Sequence, residues 1–131
     1  MTDVHEVFMS VRDYECDLQG VVNNAVYQNY LEHSRHEFLK AHNIDFAELT
    51  RKGINLVVVR AELDYKLSLT SGDQFRVETT MLQISKLKFG FSQSIIRETD
   101  GKCAIQALIT GVAINEKGKP FVPKMLESVL L

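Results

Sequence analysis

The sequence predicts an α+β fold in which an antiparallel meander sheet wraps around one long central helix. One segment of about four turns has helical periodicity, and the segments after it alternate between apolar and polar residues. Short turns separate these alternating segments, and short hairpin turns require antiparallel neighbours. The helix carries one apolar stripe, so we expect that stripe to be buried against one face of the sheet.

The first half of the chain contains a strand, a turn and the long helix. A strand is predicted over Val4–Tyr14, where β-branched and aromatic residues are frequent. A turn follows, because Gly20 permits one and the pair Asn23-Asn24 suits a helix N-cap. The helix is predicted over Ala25–Ala41. Its apolar stripe consists of Tyr27, Tyr30, Leu31, Ser34, Phe38 and Leu39.

The second half contains a short helix and four strands. Asp45 and Glu48 have capping-box spacing, which predicts a short helix that ends at Gly53. Four strands are then predicted, each joined to the next by a short turn, of which Asp100-Gly101 is the strongest hairpin signal. The four strands are 54–69, 75–81, 89–97 and 103–114, and a tail or last short helix follows over 122–130.

Length and composition indicate one domain, residues 1–131, with a reducing, cytoplasmic setting. The net charge is −2, which does not favour binding nucleic acid. No apolar run approaches the roughly 20 residues of a membrane span, and the first residues do not resemble a secretory signal. Two cysteines, Cys16 and Cys103, are too few for a disulfide framework or a four-cysteine zinc site.

Two weaker patterns have ordinary structural explanations. The predicted helix carries a cluster of four potential metal ligands, Glu32, His33, His36 and Glu37. No further ligand accompanies this cluster at a spacing typical of metal sites. We therefore expect a solvated helix face and no metal. The stretch 88–91, with two phenylalanines, resembles an RNA-binding strand, but a core strand with two same-face phenylalanines explains it better.

Asp17 is the residue whose position points to chemistry. It lies in a turn, seven residues before Asn24 at the start of the helix. A helix N-terminus presents free backbone N–H groups and the positive end of the helix dipole, which suit an oxyanion. A carboxylate nearby can act as a nucleophile or activate water. By itself this is weak, since an Asp before a helix is more often a turn residue.

The whole stretch 14–35 is more specific. Its sequence, YECDLQGVVNNAVY continuing to YLEHSR, resembles the hot-dog-fold thioesterases, and among them the 4-hydroxybenzoyl-CoA thioesterase and YbgC-type branch. The residues that match that branch's pattern are Asp17, Gly20, Val22, Tyr27 and Glu32. The short helix, the strands after it and the total length also fit, so the resemblance extends over essentially the whole chain.

The resemblance implies roles for individual residues. Asp17 corresponds to the catalytic carboxylate, and the backbone N–H of Asn24 to the donor that polarises the thioester carbonyl. Lys86 and Lys88 are candidates for holding the CoA phosphates, or are two solvated turn lysines. With these two lysines, the candidate substrate-binding residues are Gly20, Asn23, Tyr27, Leu31, Val59, Lys86 and Lys88.

The family is at least dimeric, so the resemblance implies a homodimer or homotetramer whose sites span a subunit interface. The chain departs from the family pattern at two places. Glu15 replaces the first carboxylate, an Asp, and Asn23-Asn24 stands where many relatives carry His or an aromatic residue. An Asn side chain cannot act as general acid or base, so catalysis would depend on Asp17.

The sequence thus predicts a thioesterase that hydrolyses acyl-CoA or acyl-carrier-protein thioesters without a metal or cofactor. Whether Asp17 is the nucleophile or the general base stays open at this point, as do the acyl group and its carrier. A non-catalytic hot-dog module that binds acyl thioesters or a protein partner is the alternative. A dehydratase is a weaker one, because that chemistry needs a His base and none lies within residues 14–30.

Overall fold

The computed structural model describes residues 4–127 and 129, and its elements follow the predicted order. The described helices are α1 (Asn24–Ala41), α2 (Phe46–Arg51) and α3 (Lys124–Glu127). The described strands are β1 (His5–Ser10), β2 (Asn55–Tyr65), β3 (Gln74–Gln83), β4 (Lys88–Arg97), β5 (Cys103–Ile114) and β6 (Pro120–Phe121). The tail predicted to Leu130 extends past the described residues.

All the strands belong to one antiparallel sheet with the order β1-β3-β4-β5-β2, and β6 pairs with the end of β5. The predicted meander is confirmed for β3, β4 and β5, which pair successively through short turns. The two phenylalanines of β4, Phe89 and Phe91, are both buried and contact each other edge to face, as expected for a core strand.

The long helix packs on one face of this sheet, as its sequence predicts. All six residues of the predicted apolar stripe are buried. The Asn23 side chain caps the helix by accepting a hydrogen bond from the N–H of Ala25 at 3.0 Å. Asp45 caps α2 in the same way, through the N–H of Ala47 at 2.9 Å. These caps fix where each helix begins.

The prediction of a first strand reaching Tyr14 is wrong, because β1 ends at Ser10. A single 3₁₀ turn, Asp13–Glu15, follows it. The Glu15 carboxylate accepts a hydrogen bond from the N–H of Arg12 at 2.8 Å, which closes this turn. A local side-chain bond to the backbone therefore replaces the strand pairing that the residue types favour.

The prediction that the strand over 54–69 pairs with the next strand is also wrong. β2 ends at Tyr65 and pairs with β5 at the far edge of the sheet, while β3 pairs with β1. The backbone groups of Leu69 explain the difference: its carbonyl accepts from the N–H of Val22, and its N–H donates to the hydroxyl of Tyr27. The connection is therefore held against α1 and crosses to the other side of the sheet.

A buried polar cluster lies between α1 and the centre of the sheet. The amide nitrogen of Gln93 donates to the carbonyl of Leu31 at 3.0 Å and to the hydroxyl of Thr79 at 3.1 Å. Its amide oxygen accepts from the guanidinium of Arg35 at 3.2 Å. Burial lowers the pKa of Arg35. These bonds fix the rotation of α1 against the sheet, because every polar group in them needs its partner.

Candidate active site

Asp17 lies at the tip of a tight turn in the loop that leads to α1. Its N–H donates to the carbonyl of Val21 at 2.9 Å, and its carbonyl accepts from the N–H of Gly20 at 3.0 Å. Gly20 has φ +81°, a conformation that other L residues rarely adopt. One carboxylate oxygen of Asp17 accepts from the N–H of Gln19 at 2.9 Å. Gly20 thus shapes the turn, and Asp17 remains exposed.

The loop brings this turn next to the N-terminus of α1. The N–H of Asn23 donates to the carbonyl of Glu15 at 3.0 Å, and Cys16 forms an isolated antiparallel bridge with Val22. Asp17 follows Cys16 directly and lies across the loop from Val21, on the side of the bridge toward the loop tip. The bridge therefore joins the segment that carries Asp17 to the segment that leads into α1.

The first backbone N–H of α1 is a free donor. Within residues 4–127 and 129, no group accepts a hydrogen bond from the N–H of Asn24. The N–H of Ala25 is already bonded to the Asn23 side chain. The positive end of the dipole of an 18-residue helix adds to the field at this point. This is the geometry needed to polarise a carbonyl oxygen or stabilise an oxyanion.

A hydrogen-bonded pair that the sequence analysis did not anticipate anchors the loop. The hydroxyl of Tyr30 donates to the Glu15 carboxylate at 2.8 Å, and the guanidinium of Arg12 lies 3.4 Å from the same carboxylate. Burial, together with the bond to Glu15, raises the pKa of Tyr30. The carbonyl of Glu15 holds Asn23, so this pair connects the middle of α1 to the residue that precedes the free N–H. The E-to-Y spacing of 15 residues gives no local signal for it.

Removing the hydroxyl of Tyr30 tests this anchor. We expect Tyr30→Phe to lower the free energy of unfolding by about 1–3 kcal/mol, because the Glu15 carboxylate loses a hydrogen bond to a charged group in a partly buried place. Chemical denaturation monitored by circular dichroism measures the change. Tyr14→Phe is the matched control, since Tyr14 is 78% exposed, and it should change stability by less than about 0.5 kcal/mol. Equal stability of the two variants would contradict the anchor.

The other predicted substrate-binding residues occupy three different environments. Tyr27 is buried, its hydroxyl accepts from the N–H of Leu69 at 2.9 Å, and its ring lies 5.8 Å from that of Tyr65. Burial raises the pKa of Tyr27. Leu31 is fully buried in the core, whereas Val59 is 51% exposed on the edge strand β2. Of these, the structure brings only Tyr27 close to the start of α1.

Lys86 and Lys88 lie in and after the β3–β4 turn, at the other end of the sheet from Asp17. Tyr65 lies close to the N-terminal turn of α1. Tyr65 on β2 and Ile95 on β4 both pair with Ile105 on β5, so these two residues lie at the same height in the sheet. Lys88 precedes Ile95 by seven residues on β4, which corresponds to about 23 Å. A single chain therefore does not bring these lysines to its own Asp17.

The helix cluster considered as a metal site has ordinary contacts. The ring of His36 stacks on that of Phe46 at 4.3 Å, and Glu37 forms an ion pair with Lys40 at 3.7 Å. In the part of the chain that the structure describes, no three His, Cys, Asp or Glu side chains come together as metal ligands would. Nor is any described helix both long and apolar enough to cross a membrane.

The fold and this site define the class: the protein has the hot-dog fold of thioesterases. The chain belongs to the thioesterase-like superfamily, whose model matches residues 11–130. It is 38% identical over 116 residues to the acyl-acyl carrier protein thioesterase ATL2 of Arabidopsis thaliana chloroplasts. That match covers 88% of this chain, which spans 62% of the length of ATL2.

Two further comparisons agree. The chain is 31% identical over 109 residues to the long-chain acyl-CoA thioesterase FadM of Escherichia coli, and the match covers 83% of this chain and 82% of FadM. The crystal structure of a 1,4-dihydroxy-2-naphthoyl-CoA thioesterase, Slr0204 from Synechocystis, superimposes with a TM-score of 0.90 at 18% identity. That superposition covers 97% of this chain and 95% of Slr0204 and supports the fold. The chain's homologues thus include both acyl-carrier-protein and acyl-CoA thioesterases.

Proposed function

We propose that the protein is a thioesterase that hydrolyses acyl-CoA or acyl-carrier-protein thioesters to a free acid and a thiol. The observation that carries this proposal is the free N–H of Asn24 at the start of α1, preceded by the loop that carries the exposed Asp17 carboxylate. Release of free thiol from a panel of acyl-CoAs and acyl carrier proteins tests it. If none of these substrates releases free thiol, the proposal that the protein is an enzyme is wrong.

In the proposed mechanism, the thioester carbonyl oxygen accepts a hydrogen bond from the N–H of Asn24. The oxyanion that forms when the carbonyl is attacked is stabilised there by this donor and by the helix dipole. Asn23 keeps the first turn of the helix in place through its cap. A thiolate is a good leaving group, so the C–S bond breaks without a dedicated general acid.

Asp17 has two routes open to it. As general base, it removes a proton from water, which attacks the thioester carbon directly. As nucleophile, its carboxylate attacks that carbon, releases the thiolate and forms a mixed anhydride that water then hydrolyses. Single turnover in water with labelled oxygen distinguishes these routes. Only the anhydride route can transfer label into the Asp17 carboxylate.

A non-catalytic module that binds acyl thioesters or a protein partner is the second candidate function. It is favoured by the exposure of Asp17 and of Leu18 beside it, since the loop of a single chain is open to solvent. Binding of acyl-CoA without any release of thiol would support this candidate.

We propose that the assembled protein is a homodimer that pairs through β2, and that two dimers can associate further. β2 is eleven residues long and forms an edge of the sheet, because among the described strands only β5 pairs with it. Three consecutive valines, Val57, Val58 and Val59, are between 39% and 51% exposed on it. A long apolar edge strand is a template for pairing with another chain.

A two-fold axis through paired β2 strands also brings opposite ends of the two sheets together. Antiparallel pairing places the Tyr65 end of one β2 beside the Asn55 end of the other. The end of the sheet that carries Lys86 and Lys88 in the second copy then comes to the same end as Asp17 of the first. The dimer would thus bring together the residues that a single chain separates.

Two finer assignments belong to the same proposal. The match of Asp17, Gly20 and Val22 to the branch pattern supports placing the chain in the 4-hydroxybenzoyl-CoA thioesterase and YbgC-type branch. A cytoplasmic location is supported by Cys16 and Cys103, which are both free thiols in the structure.

Hydrolysis should not need a metal or an added cofactor. We expect the rate to be unchanged after dialysis against EDTA, because Asp17 and the N–H of Asn24 supply the proposed chemistry by themselves. Thiol release before and after dialysis, with buffer-dialysed enzyme as control, measures this. If chelation abolished hydrolysis and zinc restored it, Glu32 and His36 on α1 would have to be reconsidered as ligands.

A further inference from the structure

One end of the sheet carries a concentration of lysines that the proposed reaction does not use. We define this lysine surface as the β3–β4 turn, the β5–β6 turn and the start of α3. Its five lysines are all exposed: Lys86, Lys88, Lys117, Lys119 and Lys124. The acids within residues 84–88, 115–119 and 124–127 are Glu116 and Glu127, so these segments together have a net charge of +3, whereas the whole chain has −2.

The five lysines of this surface carry charges that no acid of the described residues pairs. Most other basic residues form ion pairs with acids, such as Arg76 with Glu78 at 3.1 Å and Lys52 with Glu48 at 3.2 Å. In the described part of the chain, none of the five lysines forms an ion pair. An uncompensated positive surface on a chain of negative net charge attracts an acidic partner.

The segments of the lysine surface are contiguous and ordered. Residues of the β3–β4 turn and of the segment before α3 line one small apolar cavity, where Lys88 and Pro123 both take part. The carbonyl of Lys88 accepts from two backbone N–H groups of its turn. The side chain of Asn115 accepts from the N–H groups of both Lys117 and Lys119, at 2.9 and 3.0 Å. The lysines are therefore presented on fixed backbone.

Apolar side chains accompany the charge. Ile84 and Leu87, on the same turn as Lys86, are 41% and 40% exposed. A basic surface with apolar residues among the charges suits a folded protein partner, because such interfaces combine an apolar centre with a charged rim. A phosphate group alone would not require these apolar positions or a surface that extends over three segments.

We infer that the lysine surface docks an acidic carrier protein that delivers the acyl thioester, so that carrier-bound substrates are preferred over acyl-CoA. The inference rests on the proposed function and on the β2 dimer, which brings this surface of one copy to the end of the sheet where Asp17 of the other copy lies. The acidic carrier would bind one copy and extend its thioester toward the site of the other.

Charge reversal tests the inference. We compare Lys86→Glu/Lys88→Glu and Lys117→Glu/Lys119→Glu with the control Lys40→Glu/Lys102→Glu, which makes the same charge change outside the lysine surface. Both test variants should lose at least about tenfold in kcat/KM on an acyl carrier protein substrate. The control should stay within about twofold, and acyl-CoA with the same acyl group should be affected far less. Added salt should lower the wild-type rate on the carrier substrate.

Two results would overturn the inference. Equal losses on acyl-CoA and on the carrier substrate would assign these lysines to the CoA phosphates, and no loss on either would make them solvated turn lysines. A third substrate, the acyl thioester of N-acetylcysteamine, has neither phosphate nor protein. It distinguishes a failure of the docking inference from a failure of the proposed function. If the wild type hydrolyses no thioester at all, the proposed function fails. If it hydrolyses this one and the variants still show no carrier-specific loss, the docking inference alone fails.

Discussion

Asp17→Asn is expected to lower kcat by at least about two decades, with little change in KM. Asn preserves the size of the side chain and can still accept the hydrogen bond from the N–H of Gln19 that shapes the turn. It removes the negative charge and the basicity. A positioned proton-transfer group contributes typically about 10²–10⁴-fold. Because that interaction is made mainly in the transition state, the loss appears in kcat and only weakly in KM.

The matched control is Asp45→Asn. Asp45 accepts the N–H of the residue two positions later at 2.9 Å, as Asp17 does, but it caps α2 instead of the turn before α1. It should leave the rate within a few-fold. Steady-state rates of thiol release and melting temperatures of both variants separate chemistry from folding. A folded Asp17→Asn protein that hydrolyses acyl thioesters near the parent rate would contradict the mechanism but not the fold.

Val58→Lys/Val59→Lys is expected to convert the dimer into monomers and to abolish most activity. Pairing of two β2 strands would bury these positions against their copies, and like charges brought together in an interface are strongly unfavourable. In a single chain both valines are 51% exposed, so the variant should fold. Light scattering at micromolar concentration should give the mass of one chain for the variant and at least twice that mass for the parent.

Ala47→Lys/Thr50→Lys adds the same charge on the exposed face of α2 and serves as control. It should remain dimeric and active. A parent protein that is itself monomeric at micromolar concentration would contradict both the dimer and the shared site. If the variant is monomeric and fully active, the parent still dimerises through β2, but the dimer has no role in catalysis.

The elements of the fold follow closely from local patterns in the sequence. The stripe from Tyr27 to Leu39 predicts both the helix and the face that it buries, and Asn23 and Asp45 predict where two helices begin. These features depend on residues within a few positions of each other, where periodicity and capping act directly. The hairpins joining β3, β4 and β5 follow from their turns for the same reason.

The position of β2 does not follow from such patterns. Its residues alternate as a strand should, but alternation does not say which neighbour a strand pairs with. That choice depends on Leu69, whose backbone groups bond to Val22 and Tyr27, more than 40 positions earlier in the chain. No local sequence pattern predicts a hydrogen bond between residues so far apart in the chain. The sequence therefore predicts a hairpin where the chain crosses over.

The same division holds for the candidate site. The residue types and order over 14–35 single out Asp17 and Asn24 by resemblance, and this much is contained in the sequence. Tertiary structure alone decides that the N–H of Asn24 is free, that Tyr30 holds Glu15, and that Lys88 lies at the opposite end of the sheet from Asp17. A sequence pattern specifies which groups are available, whereas their distances depend on strand order and on contacts between distant segments.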